Sequence, residues 1–101
     1  PDVLVTGSSQ VGVGNCEPLN GGTSLEVSGA LKIKAHPQNS NIIYITAETP
    51  TDGVPASQFL SSCYPLSPGE EVFIEIDDVN KIQAGAEVAG QFLAWVGSRV
   101  D

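Results

Sequence analysis

Positive charge is scarce in this sequence: four Lys and Arg residues stand against twelve Asp and Glu, for a formal net charge of −8 with the single histidine neutral. Affinity for a nucleic-acid backbone rests on clustered Lys and Arg, so the scattered Lys32, Lys34, Lys81 and Arg99 argue against nucleic acid as a partner. The same shortage argues against an anionic membrane surface. No apolar run approaches the roughly 18 residues of a membrane-spanning helix, and no basic amphipathic segment is present. Methionine is absent altogether, and Pro1 is a residue that methionine removal tolerates and signal-peptidase cleavage does not. With nothing resembling a retained signal peptide, this predicts synthesis in the cytoplasm.

Reactive groups are equally sparse. A hydrolase triad needs a nucleophile, a histidine base and an orienting carboxylate, but the one histidine, His36, precedes Pro37 in a turn-forming stretch and reads as an exposed turn residue. The two cysteines, Cys16 and Cys63, are too few for a disulfide scaffold and wrongly spaced for zinc or a redox CxxC. An intrachain bridge, a bridge between subunits and two free thiols all remain open for them. Neither sits in a basic or helix-N-terminal setting that would make it a nucleophile. No catalytic residue and no cofactor is expected.

What is present is enough for a core. Hydrophobic residues make up 41% of the 101 residues and charged ones 16%, unlike a disordered chain. A chain of this length fits one domain and removes roughly two-thirds of its unfolded surface from water. Eleven glycines and seven prolines interrupt almost every helix-length window, and the apolar spacing is mostly two.

Leu31, Ile33 and Ala35 alternate with Lys32 and Lys34 as in a half-buried strand. The turn-forming residues His36 to Asn41 and the β-branched run Ile42 to Thr46 then read as the rest of a hairpin. Pro50 to Pro68 reads as a long exposed loop anchored by Phe59, Leu60, Tyr64 and Leu66. Further strands are expected at Leu25–Val27, Val72–Ile76, Lys81–Ala84 and Gln91–Gly97. Residues 1–23, rich in Gly, Ser, Asn and Gln, read as a flexible N-terminal arm or loop, and 24–101 as the β domain. The expected fold is all-β: a single β-sandwich, jelly-roll-like or small barrel domain of about six to eight short antiparallel strands with an extended N-terminal arm.

Three groups of residues are candidates for contact or chemistry. Asp77, Asp78 and Asn80, joined by Glu70, Glu71 or Asp52, would offer the oxygen ligands calcium prefers, although their spacing matches no dedicated loop and equally suits a solvated turn. Phe73 falls opposite Val72, Ile74 and Ile76 on its strand and so points outward, either into a partner contact or beneath a second sheet. The run Phe92 to Val96 is apolar on both faces, which places Trp95 in a core or at a subunit interface. A sugar-binding module would want two or three exposed rings on one face, and Tyr44, Tyr64 and Trp95 are the candidates to supply them.

Three blocks carry a resemblance. They are Leu31–Ile45 (LKIKAHPQNSNIIYI), Tyr64–Ile82 (YPLSPGEEVFIEIDDVNKI) and Ala89–Gly97 (AGQFLAWVG), with the patterns LxPGExxxxxxDDxxK and GQxxxW inside the last two. Together they resemble the small β-rich structural proteins of tailed-bacteriophage virions: head decoration (cement), head-fibre or related subunits. Residues 1–24 and 47–63, which hold both cysteines, lie outside the resemblance.

The resemblance implies a non-enzymatic subunit on the outer capsid surface that binds and stabilises the lattice of the major capsid protein. It also implies a homo-oligomer, with a trimer expected before a dimer. Val3, Leu4 and Val5 would anchor the arm by adding a strand to a neighbour, and avidity among many copies would strengthen modest single contacts. The alternative is a neck, tail or fibre subunit with a receptor- or carbohydrate-binding role.

Overall fold

The cleanest alternation in the sequence becomes a strand with Leu31, Ile33 and Ala35 turned inward and Lys34 outward. The computed structural model describes residues 2–14, 16–46 and 63–100. Their strands are β1 (Asp2–Gln10), β2 (Glu17–Pro18), β3 (Ala30–Ala35), β4 (Ile43–Thr46), β5 (Tyr64–Leu66), β6 (Glu71–Glu75), β7 (Gln83–Ala86) and β8 (Phe92–Val100), with short 3-10 turns at Leu19–Gly22 and Val79–Lys81. The fold is all-β as expected, and among the described residues no helix is long and apolar enough to cross a membrane.

The strands form two four-stranded antiparallel sheets, sheet A in the order β1-β8-β3-β6 and sheet B in the order β2-β7-β4-β5. Pairing is nested: β1 with β8, β2 with β7, β3 with β6 and β4 with β5. A long antiparallel ribbon rolled on itself in this order is a jelly roll. Leu31, Ile33, Leu93 and Trp95 of sheet A share one buried cluster with Ile43, Ile45, Leu66 and Ala84 of sheet B, so the sheets bury their inner faces against each other.

The expected hairpin between β3 and β4 does not form, because the two strands lie in different sheets. The connection between them is instead a corner held by side chains. Asn39 Nδ2 donates to the Phe92 carbonyl and Asn39 Oδ1 accepts from the Phe92 N–H, both at 2.8 Å. Gln91, fully buried, accepts from the Asn41 N–H and donates to Ser40 Oγ and the Ala89 carbonyl. These bonds tie the corner to the start of β8 and carry the chain across the sandwich.

Residues 1–23, expected as an arm, contribute β1, β2 and the first 3-10 turn. Val3, Leu4 and Val5 pair with Arg99, Ser98 and Gly97 of the chain's own β8, so they do not form a free anchor. Gly7 explains how a stretch of poor strand formers pairs here: it lies opposite Trp95, and a Cβ at Gly7 would come within 2.3 Å of the indole. The missing side chain leaves room for the largest ring in the sequence.

Leu25–Val27 makes only an isolated bridge, Glu26 to Asp78, and Lys81 belongs to the second 3-10 turn ahead of β7. Pro68-Gly69 is a turn as expected, with Gly69 at a φ of 86° that disfavours any side chain. Most of the expected Pro50–Pro68 loop, including Phe59, Leu60 and Asp52, lies outside the described residues. Tyr64 and Leu66 belong to β5.

Candidate docking face

Sheet A has an outer face that sheet B does not cover. Leu4 from β1, Phe92, Val96 and Val100 from β8, and Phe73 from β6 all point outward. Their exposures are 71%, 45%, 37%, 70% and 67%, in that order. The register aligns Thr6, Val96, Lys32 and Phe73 in one row across the four strands. β8 therefore divides its apolar residues, with Leu93 and Trp95 facing the core and Phe92 and Val96 facing solvent.

Charge lies within this face, on the inner strand β3. Lys32 Nζ lies 2.9 Å from Glu71 Oε2 and 5.7 Å from the centre of the Phe73 ring, an ion pair and a cation–π contact on one ammonium. A shallow depression of about 220 Å³ opens beside them, lined by Lys32, Lys34, Glu71, Ala94 and Val96 among others. Large apolar side chains exposed on one uncovered sheet face, interleaved here with charged ones, make this face the candidate for a protein contact.

Sequence reasoning placed Phe73 outward, and the structure does the same. Trp95 differs: with 4% exposure, packed beneath Gly7 in the chain's own core, it presents no docking surface. Its burial removes it from any sugar-binding platform with Tyr44 and Tyr64, which lie on sheet B. Tyr44 Oη donates to Glu87 Oε1 at 3.4 Å, and slight desolvation and the Glu87 charge push its hydroxyl above the usual range. Leu4 belongs to the face as a strand residue.

The calcium candidates serve a turn. Asp78 accepts from Ser24 Oγ and from the backbone N–H groups of Leu25 (2.9 Å) and Asn80 (3.0 Å). Desolvation alone would raise its pKa, but these three donors and nearby Lys81 outweigh it and hold the carboxyl below its usual value. Asp77 pairs with Lys81 at 2.6 Å, raising the ammonium above its ordinary range, and Asn80 Nδ2 donates to the Gly22 carbonyl. Glu70 and Glu71 do not join them: Glu70 accepts from the Ser67 N–H, which lowers its pKa, and Glu71 stands on the outer face with Lys32. Among the described residues no cluster of three His, Cys, Asp or Glu could hold a metal ion. An open groove of about 600 Å³ borders Ser24, Asp77, Asp78, Lys81 and Arg99.

His36 is exposed, as expected, and its Nδ1 accepts from the Gln38 N–H. Cys16 and Cys63 are both free thiols, the first buried and the second half-buried. The Asn39–Gln91 corner escaped sequence reasoning, because Asn39 and Gln91 sit in turn-like stretches and their burial appears only with the fold. No family model, no curated protein and no solved structure matches this chain.

Proposed function

We propose that the protein is a non-enzymatic structural subunit that docks onto a protein lattice through the outer face of sheet A, and that the lattice is the major capsid protein of a tailed bacteriophage. The observation that carries the docking reading is the set of large apolar side chains exposed on this face, Leu4, Phe92, Val96, Val100 and Phe73. The phage setting rests on the sequence resemblance, whose blocks supply Phe73 and the Phe92–Val96 stretch of this face. Jelly rolls also recur among viral capsid proteins, an argument from fold alone.

A decoration subunit works through many copies, each docking with modest affinity and reinforced by its neighbours. We place it on the outer capsid surface as a homo-oligomer, a trimer before a dimer. The acidic surface suits that place, since like-charged particles repel one another.

Quantitative mass spectrometry of virions tests the reading through copy number. Hundreds of copies per particle is the expected result. A few to dozens would assign the protein to the neck, tail or fibre, and its absence from virions would refute the virion reading.

A further inference from the structure

Each sheet ends in two edge strands, and three of the four edges are blunted. β2 and β5 are only two and three residues long, and each contains a proline, Pro18 and Pro65. β6 carries Glu71 and Glu75 on either side of Phe73. Short edges, prolines and charges keep a sheet from pairing with another chain. β1 uses none of them: it runs nine residues, and Val3 to Gln10 includes no charged residue and no proline.

The open side of β1 is a row of backbone donors and acceptors. The Val11 N–H donates to the Gln91 carbonyl at 2.8 Å, and in an antiparallel ladder the hydrogen-bonded positions recur at every second residue. Val3, Val5, Gly7 and Ser9 therefore turn their N–H and C=O groups to β8, and Leu4, Thr6, Ser8 and Gln10 turn theirs away from it. The Phe92 carbonyl accepts from the His36 N–H on the β3 side of β8, which fixes the same alternation independently. Leu4, Thr6, Ser8 and Gln10 are exposed, and among the described residues no hydrogen bond reaches their backbone groups.

We propose that two copies of this chain join through these edges, β1 antiparallel to the partner's β1, so that two four-stranded sheets A become one continuous sheet. The register that uses the whole strand sets Thr6 on the two-fold axis against the partner's Thr6, and Leu4 against the partner's Ser8, all on the outer face. Val5 meets the partner's Gly7 on the inner face. Thr–Thr pairs are favourable cross-strand neighbours, and along Val3 to Gln10 no charge opposes another. The same operation on β6 sets Glu71 against the partner's Glu75 on both sides of the axis, where like charges directly opposite are destabilising. One edge of sheet A thus accepts a second copy and the other repels it. The contact is two-fold and gives a dimer rather than the trimer put first above. It leaves the outer face of sheet A open in both copies, so it stands or falls apart from capsid docking.

Sedimentation of the full chain from micromolar to millimolar concentration, with amide exchange alongside, tests the contact. A species of twice the chain's mass should grow with concentration, and exchange at the Leu4, Thr6, Ser8 and Gln10 amides should slow as it forms while Phe73 and Glu75 stay unchanged. Thr6→Lys sets two ammonium groups against each other and should weaken the dimer by roughly tenfold or more. Mixed with Thr6→Glu, it should pair with that variant in preference to itself. A chain that stays monomeric throughout, or a dimer in which the β1 amides exchange as fast as in the monomer, would overturn the proposal. A trimer or longer series, the product of β1 pairing head-to-tail with β6, or undiminished pairing by Thr6→Lys, would also overturn it. The wild-type exchange pattern decides the question even if a variant fails to fold.

Discussion

Gly7→Ala puts one methyl group where the structure has no room. A Cβ at this position would lie 2.3 Å from Trp95 Cζ2, 2.5 Å from Cε2 and 2.9 Å from Nε1. All three atoms belong to a ring held at 4% exposure in the core, so the ring cannot swing freely into solvent. Replacing Gly by Ala in a strand would otherwise help, because it removes unfolded-state freedom worth about 0.4–1 kcal/mol. Overpacking a filled core costs about 1–3 kcal/mol, so the clash outweighs the entropic gain and the net effect is a loss of about 1–2 kcal/mol. In a domain of this size that lowers Tm by roughly 4–16 °C.

Denaturant unfolding of wild type, Gly7→Ala, Trp95→Phe and the double variant measures the loss and its cause. Trp95→Phe shrinks the ring and removes Nε1, which is buried without a hydrogen-bond partner among the described residues. The double variant should therefore be more stable than the sum of the single changes predicts, with a coupling of about 1 kcal/mol. Gly7→Ala at or above wild-type stability, or full additivity in the cycle, would refute the packing of β1 over Trp95.

Other positions give sharp expectations. Asn39→Ala deletes both bonds to the Phe92 backbone and leaves a partly buried N–H unpaired; a loss of about 1–3 kcal/mol is expected, and a urea midpoint unchanged from wild type would contradict the corner. Asp78 has a folded pKa below its unfolded value. Its contribution is therefore present above the unfolded pKa and lost as pH falls through the folded one, so wild type should lose stability in acid more steeply than Asp78→Asn when midpoints are followed below about pH 4. Phe73→Ser changes an exposed residue whose one described ring contact is the Lys32 ammonium; stability should fall by less than about 1 kcal/mol, and a larger drop in the melting curve would mean that Phe73 supports the fold.

The strands that were legible in the sequence are those whose alternation matches a sheet with one face buried. β3 and β6 follow this rule, and it is why the outward direction of Phe73 could be read before the fold was known. Strand membership in a sheet was not legible. The residues between β3 and β4 have turn chemistry, and only the bonds from Asn39 and Gln91 to a segment about fifty residues away decide that they cross the sandwich. β1 was obscured by its Gly and Ser residues, since the reason for Gly7 is a tryptophan near the other end of the chain.

The site divides in the same way. Asp77, Asp78 and Asn80 suggest a cation through their oxygens, but the donors that occupy Asp78 include Ser24 and Leu25, which no local spacing reveals. The apolar run of β8 showed a buried or contacting strand, and only the pairing with β1 and β3 separates Trp95 inside from Val96 outside. Leu4 was legible as apolar, yet its place on a shared face depends on the nine-residue register with β8.

The claim that the outer face of sheet A docks onto a capsid is tested most directly by binding to purified particles that lack the protein. Wild type and a Phe73→Ser, Val96→Ser variant, both confirmed folded by circular dichroism, would be titrated onto such particles and counted per capsid. Losing two exposed apolar contacts at about 1–2 kcal/mol each should weaken binding by roughly tenfold to a thousandfold. Equal occupancy by the two proteins across the titration would contradict the proposed docking face.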